Sequence, residues 1–508
     1  MRHPISLFFS RPLLSIFVFG IASGFPWVMI GSVMSAWLQE SGLTRSAIGY
    51  FGAVFVVYSV NFLWSPLIDR VRLPLLARAL GQRRSWIWLM QVCIVLGCLG
   101  LAGVDPSHSL QLAGLTALSI ALASATQDIA IDAFRIDSIA EDHPEQQSAA
   151  SAMATSGWWT GYAGLGAIPF FLADDIGWSN VYLLLAAIMV VISLLGFIAH
   201  EPLSNRNATF AAVQQKYQDA VKGHHPRALA MLLGVLLIIA AIMLNVFAAP
   251  LFAYQPQVTA VVVVAILAMI FHSLNRILAN SNQAVDSITQ AEQVVAWILS
   301  TLVEPLRDFF KRNGVAMALA LLSFVLLFKL GEAFLGRMSI VFYKEIGFSN
   351  EDIGAYSKLL TWLVTVVASV IGAAITLRIG LIKGLVIGGV SMAASNLLFS
   401  LMAITGPDKT LLGITIVIDG FTAAWGTVVF MSFISALCNR AFTASQYALL
   451  ASIGTLGRVS LGAYSGVMVD ALDGDWAIFF VITALMIIPS MWLLYLIRHR
   501  LKPLLGMD

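Results

Sequence analysis

The chain has 508 residues, 59% of them hydrophobic and only 11% charged, with a formal net charge of +2 and a mean hydropathy of +0.87. So low a charge content excludes a soluble domain of any class, and no basic, aromatic-interleaved segment offers itself to nucleic acid. The chain reads as an integral membrane protein.

Runs of about 20 apolar residues, each long enough to cross a ~30 Å hydrocarbon core as a helix, recur along the chain. About fourteen can be placed. They fall near 13–38, 46–67, 86–104, 110–134, 148–172, 178–199, 228–249, 256–274, 315–341, 353–377, 381–403, 410–437, 441–468 and 476–497. The first is too long for the core of a signal peptide and has no convincing cleavage site, so it is expected to be retained. Cys93, Cys98 and Cys438 all lie in apolar runs, which points to packing and gives no metal or disulfide framework.

With the N-terminus placed in the cytoplasm, most of the 29 Lys and Arg fall in inside loops and tails, and Arg45, Lys344 and Lys409 fall outside. Both termini are then expected to be cytoplasmic. Lys329, Arg337, Lys358 and Arg458 are left at membrane depth.

After the second run comes SPLIDRVRLPLLARALGQRR (65–84), a loop with an acid and clustered arginines. Asp69, Arg70, Arg83 and Arg84 are expected to form a gate with Arg135 and Asp137 at the same end of the fourth run. A lone Asp-Arg beside Arg-Arg could equally be ordinary inside charge. The fourth run itself contains SATQDIAIDAF (124–134), which sets Asp128 and Asp132 one helical turn apart, with Ser124 and Arg135 on the same face. Ionisable groups at that depth face protein or water and mark pathways or proton relays, so the pair is a candidate proton-carrying site; for Asp132, nearer the cytoplasmic end, the alternative is that it closes the gate with Arg135 and Asp137 by pairing with arginines of the 70–84 loop. In the fifth run, ATSGWWTGYAGLG places Trp158, Trp159 and Tyr162 among small residues. With Tyr58, Trp64 and Trp425 they are candidate stacking surfaces for sugar rings, although most intramembrane aromatics pack or anchor.

Between residues 201 and 314 the chain departs from a simple linker. A polar stretch leads to a predicted hairpin of two further spans (about 228–274), then to a predicted interfacial helix (about 281–312) with Val294, Val295, Ile298 and Leu302 on one side and an interruption before Pro305. In the seventh core run, FKLGEAFLGR puts Lys329 and Glu332 three residues apart, where they can pair. Arg337, Lys358 and Arg458 sit at outer depth on three helices. Four cations face two acids, Glu332 and Asp419, and that excess points to an anionic substrate; a set of internal ion pairs is the alternative.

The halves repeat. GLTRSAIG (42–49) matches GFSNEDIG (347–354), and FLADDIGW (171–178) matches VMVDALDGDW (467–476). A parallel repeat six helices long is the signature of the major facilitator architecture. The expected fold is therefore all-α, with one six-helix bundle over 1–200, a second over 315–508, and the extra hairpin between them.

SATQDIAIDAFRID, FLWSPLIDR, FKLGEAF and CNRAFTASQYALLASIGTLGRVSLG (438–462) together resemble the AmpG family of muropeptide permeases. The resemblance implies proton-driven import of N-acetylglucosaminyl-1,6-anhydro-N-acetylmuramic acid, with or without peptide, across a bacterial inner membrane for peptidoglycan recycling. It matches Gln127, Asp128 and Asp132 to the family's fourth-helix motif and Lys329 with Glu332 to its seventh core helix. The chain departs from the family at Asn61, where a lysine is usual. Asp128, Asp132 and Glu332 are then the expected coupling acids. Gln127, Lys329, Arg337, Lys358, Arg458, Asp419, Asn61, Tyr58, Trp158, Tyr162 and Trp425 are the expected substrate contacts. The expected partners are a sugar-peptide, protons and the bilayer, with no metal or cofactor, in a chain that functions as a monomer. Carriage of another bulky anion, such as a nucleotide-sugar or acyl-CoA, remains open. A polytopic enzyme acting on lipid-linked sugar is disfavoured, because no loop is large enough for a catalytic domain.

Overall fold

The computed structural model describes residues 8–43, 51–139, 146–202, 206–234, 237, 269, 288–349, 352–353, 356, 360–462 and 464–504. The described elements are helical throughout and, among them, nine stretches are long and apolar enough to cross a membrane. The predicted hairpin falls almost entirely outside the described residues. Several predicted spans exist as broken helices. The first is Arg11–Ile30 followed by Ser32–Glu40, and the ninth, the seventh core run, is Val315–Leu327 followed by Leu330–Ile346. Gln147–Ile198 is one run of 52 residues, but Gly177, at φ 74° and ψ 157°, divides it into two helices. Glycine tolerates that left-handed backbone where other residues do not.

The chain forms two compact units, one built from Met1–Ser204 with Asn313–Asp508 and the other from Asn205–Arg312. In the larger unit, large apolar side chains such as Leu96, Leu115, Val191, Leu194, Leu397 and Ile404 stand exposed, as a lipid-facing surface requires. Small residues make the interior contacts. An added Cβ at Gly24 would lie 2.1 Å from the Trp158 carbonyl oxygen, and one at Gly157 would lie 2.2 Å from that of Phe17. The Arg11–Ile30 and Gln147–Trp159 helices therefore cross backbone to backbone, as small-residue spacings in membrane helices permit.

The internal repeat survives as chemistry. Trp178 donates its indole N–H to Glu40 at 2.6 Å, and Trp476 donates to Glu345 at 2.8 Å. Each Trp opens the last span of its half, and each Glu closes the first.

In the smaller unit, Arg206–Val221 packs on Gln290–Ile298 around Tyr217, Val221, Val295, Ala296 and Leu299. Thr289 and Glu292 form a reciprocal cap at the start of Gln290–Ile298. Burial raises the Glu292 pKa, but hydrogen bonds from Thr289, His224 and Gly223 outweigh it and hold the carboxyl below its usual range. Two expectations are corrected here. Val294 and Leu302 are exposed while Val295 and Leu299 are buried, so the apolar residues divide between two faces. The interruption before Pro305 is a wider π-helical turn over Leu299–Val303, and the helix resumes as Glu304–Asn313. Pro305 then sits in a first turn, where its missing N–H is not needed.

Candidate functional site

The Leu110–Asp137 helix carries the polar stripe that its spacing predicts. Asp128 accepts a hydrogen bond from the Ser23 hydroxyl at 2.7 Å, across from the Arg11–Ile30 helix. Trp27, one turn beyond Ser23, and Tyr58 stand beside the same carboxylate. Among the described residues no cation pairs with Asp128. Asp132 is different, because it meets Arg135 of its own helix at 3.2 Å and its side chain stays 30% exposed.

Arg135 is fully buried and binds both halves of the larger unit. It donates to Ser151 and to Ser435, each at 3.0 Å, and its guanidinium lies 5.0 Å from the Tyr447 ring centroid. Its expected partner was the 65–84 loop; the structure gives it Asp132 and the second half instead.

Trp27, Tyr58, Trp158, Trp159 and Tyr162 form one continuous cluster. Ring centroids are 4.4 Å apart for Trp27 and Tyr58, 5.8 Å for Trp27 and Trp158, and 4.9 Å for the stacked Trp158 and Tyr162. A π-helical turn over Thr160–Gly164 sets the direction of Tyr162; such wide turns recur at functional sites.

Two expected substrate contacts are held by the protein itself in this structure. Gln127 is fully buried and donates its amide to the Ala22 carbonyl at 2.8 Å. Trp425 is buried against Gly372 with its indole N–H on Thr376 at 2.9 Å, so it packs the second half. Asn61 accepts from Ser452 of the second half at 3.3 Å.

In that half Lys329 occupies the break between Val315–Leu327 and Leu330–Ile346. It pairs with Glu332 at 2.7 Å and donates to Thr427 at 2.7 Å. Asp419 accepts from Ser395 at 2.8 Å, and Arg458 is exposed. Lys358 and the Arg337 side chain lie outside the described residues. Among the described residues, two cations and two acids balance, so the expected excess of positive charge rests on those two.

The gate is the most fully connected part of the site. Arg83 is buried and donates to Asp69 at 2.7 Å, Asp137 at 3.1 Å and the Ile68 carbonyl at 3.1 Å. Asp69 then receives the backbone N–H groups of Ala444 and Ser445, at 3.2 and 2.9 Å, and the Ser445 hydroxyl at 2.6 Å. These lie at the start of Thr443–Gly462, where a helix attracts negative charge. Thr443 donates to Asp137 at 2.8 Å, and Arg440 donates to the Ile136 carbonyl. First-half acids thus hold the opening turn of a second-half helix. Arg70 ends the Ser65–Arg70 helix beside Asp69, and the backbone N–H of Arg84 donates to Glu201 at 3.1 Å.

Sequence reasoning missed Ser23, Trp27, Thr427, Glu201, Arg440, Thr443 and Ser445. Most are small hydroxyl residues that carry no mark until a distant element brings a charged group to them. Among the described residues no three of His, Cys, Asp and Glu gather as a metal would require.

No family model matches the chain. It is 28% identical over 490 residues to a putative transporter AmpG 4 of Rickettsia conorii, covering 96% of this chain and 97% of the relative. It is 26% identical over 497 residues to the anhydromuropeptide permease of Escherichia coli strain K12, covering 97% and 81%. Among solved structures it superposes on the proton:xylose symporter XylE with a TM-score of 0.60 at 12% identity, covering 97% and 96%. The Escherichia coli fucose:proton symporter FucP gives 0.58 at 13%, covering 97% and 98%.

Proposed function

From the premise of a multi-pass secondary transporter with the major facilitator fold, similar to AmpG permeases along its whole length, we propose that this chain imports anhydro-muropeptides with protons. One observation carries the reading: Asp128, at membrane depth, is held by a neutral hydroxyl and stands beside a cluster of aromatic rings. A carboxylate without a counter-ion can take up and release a proton without breaking an ion pair. Aromatic faces next to it suit the C–H faces of sugar rings. The sugar rings of the cargo then lie beside the proton-carrying acid while its carboxylate is held by the second-half cations, so one cargo spans both halves and can couple them.

Each charged group has a role in this scheme. Asp128 carries the proton. Asp132 holds Arg135, which joins the halves through Ser151 and Ser435, so protonation at this end of the stripe loosens a contact between the halves. In the second half Glu332 holds Lys329 in place, and Lys329, Arg458, Arg337 and Lys358 receive the lactyl or peptide carboxylate of the cargo. Asp69, Arg83 and Asp137 hold one end shut until the halves rock. The domains act as two bundles, 1–200 and 315–508, in a monomer with both termini in the cytoplasm of a bacterial inner membrane, and the cargo enters peptidoglycan recycling. The names of the relatives support the cargo, and the sugar:proton symporters that share the fold support the driving force.

The test is uptake of labelled N-acetylglucosaminyl-1,6-anhydro-N-acetylmuramic acid into proteoliposomes with and without an inward proton gradient. Accumulation only with the gradient is expected, with competition by the peptide-bearing form. Competition by nucleotide-sugars or acyl-CoA, with no uptake of the disaccharide, would move the cargo to another anion.

A further inference from the structure

Pro26 lies inside the Arg11–Ile30 helix. Proline has no backbone N–H, so residue 26 cannot make the helical bond to the Ala22 carbonyl, and a buried carbonyl without a donor is costly. A donor comes from another helix. Gln127 Nε2 reaches the Ala22 carbonyl at 2.8 Å, while the next residue, Asp128, receives the Ser23 hydroxyl at 2.7 Å. Two consecutive residues of Leu110–Asp137 therefore hold two consecutive residues of the first helix, on the turn that Pro26 interrupts. Gly24 of that turn touches the Trp158 backbone closely enough to exclude any side chain, so the same turn also abuts the aromatic cluster.

We infer that Gln127 is a positioning residue: its amide replaces the helix hydrogen bond that Pro26 removes, and so fixes this turn of the first helix against Asp128 and the aromatic cluster. This rests on the reading of Asp128 as the proton-carrying acid. The titratable groups facing Asp128 are Asp132, one turn along its own helix, and Tyr58; Ser23 and Trp27 face it as neutral groups. Protonation of Asp128 changes its bond with Ser23 from charge-assisted to neutral. The Gln127 bond does not titrate. The interrupted turn is thereby held on one side and loosened on the other when a proton binds, which gives the first helix a pivot at Pro26.

The experiment is a double-mutant cycle on the full chain. Wild type, Gln127→Ala, Pro26→Ala and the double variant are purified in detergent, with Pro26→Ser as a second way of restoring an N–H at position 26. Gln127→Ala alone lowers the melting midpoint by roughly 2–4 °C, because it orphans a buried carbonyl. Added to Pro26→Ala or Pro26→Ser it changes the midpoint by less than about 1 °C, because the backbone now supplies the donor. Equal losses in all backgrounds overturn the pairing. The same variants are then assayed for uptake of the labelled disaccharide over a pH series. Gln127→Ala displaces the pH profile, and restoring the N–H at 26 returns it; a uniform loss at every pH overturns the link to Asp128. If the wild type takes up no disaccharide, the cargo reading fails, and the melting cycle still decides the pairing of Pro26 with Gln127.

Discussion

In each half of the larger unit a polar contact joins the first helix to the fourth, and the two contacts differ in kind. In the first half the hydroxyl of Ser23 meets Asp128. In the second, Lys329 meets Thr427 of Lys409–Leu437 and pairs with Glu332, with Asp419 on that same helix bound to Ser395. One acid is solvated by neutral groups; the other half opposes its acids with a fixed cation. Among the described residues Asp128 has no cation beside it, whereas Glu332 in the second half faces Lys329 at 2.7 Å. Both halves thus join their first and fourth helices by a polar contact, with a hydroxyl on the first helix in one half and an amine in the other, and the proposed function assigns the first to the proton and the second to the cargo.

The strongest way to break that comparison is Asp128→Asn, which keeps the shape and removes the titratable group. Gradient-driven accumulation is expected to fall by about two orders of magnitude, on the scale of a lost essential proton carrier, while cargo counterflow persists. Substituting the gate should act next most strongly. Arg83→Ala removes the guanidinium that pairs with both Asp69 and Asp137, at a cost of about 3–5 kcal/mol to the closed arrangement. A cysteine placed at Ser435 is then expected to label faster from that end, and unchanged labelling would show that the gate is held elsewhere.

Lys329→Ala should raise the apparent KM for anionic cargo by about tenfold and leave the pH profile in place. Because it strands Glu332, the double change Lys329→Ala with Glu332→Gln should retain more folded protein than the single one, as measured by yield after purification. A displaced pH profile in Lys329→Ala would place proton coupling in the second half and reverse the comparison. The smallest effect is expected for Ser23→Ala, which removes a hydrogen bond but no charge: the pH midpoint of uptake moves by less than about one unit, and the maximal rate is kept.

Much of this was legible in the sequence, for physical reasons that differ residue by residue. Charges at membrane depth announce themselves, so Asp128, Asp132, Lys329 and Glu332 could be singled out by cost alone. Helical spacing was enough to pair Lys329 with Glu332, three positions apart. The repeat was visible because glycines and tryptophans recur where turns and outer ends need them, and Trp178 with Trp476 proved to hold equivalent glutamates. Illegible were contacts set by tertiary geometry. Ser23 looks like any small residue of a packed helix until Asp128, 105 positions away, is beside it. Gln127 entered as a cargo contact through the resemblance to the AmpG family; its partner in the structure is the Ala22 carbonyl, four residues before Pro26, which no local pattern connects to it. Trp425 matched the profile of a stacking surface, yet the glycine that accommodates it, Gly372, makes it a packing residue.

The central claim is that the proton travels with the first-half acid and the cargo with the second-half cations. Its most direct test follows proton movement with a pH-sensitive dye trapped in proteoliposomes while the disaccharide flows down its own gradient. The account predicts that the wild type carries protons inward with the cargo, that Asp128→Asn carries cargo with no proton signal, and that Lys329→Ala keeps the ratio of protons to cargo at a lower flux. A proton signal that persists in Asp128→Asn at an unchanged ratio would contradict it.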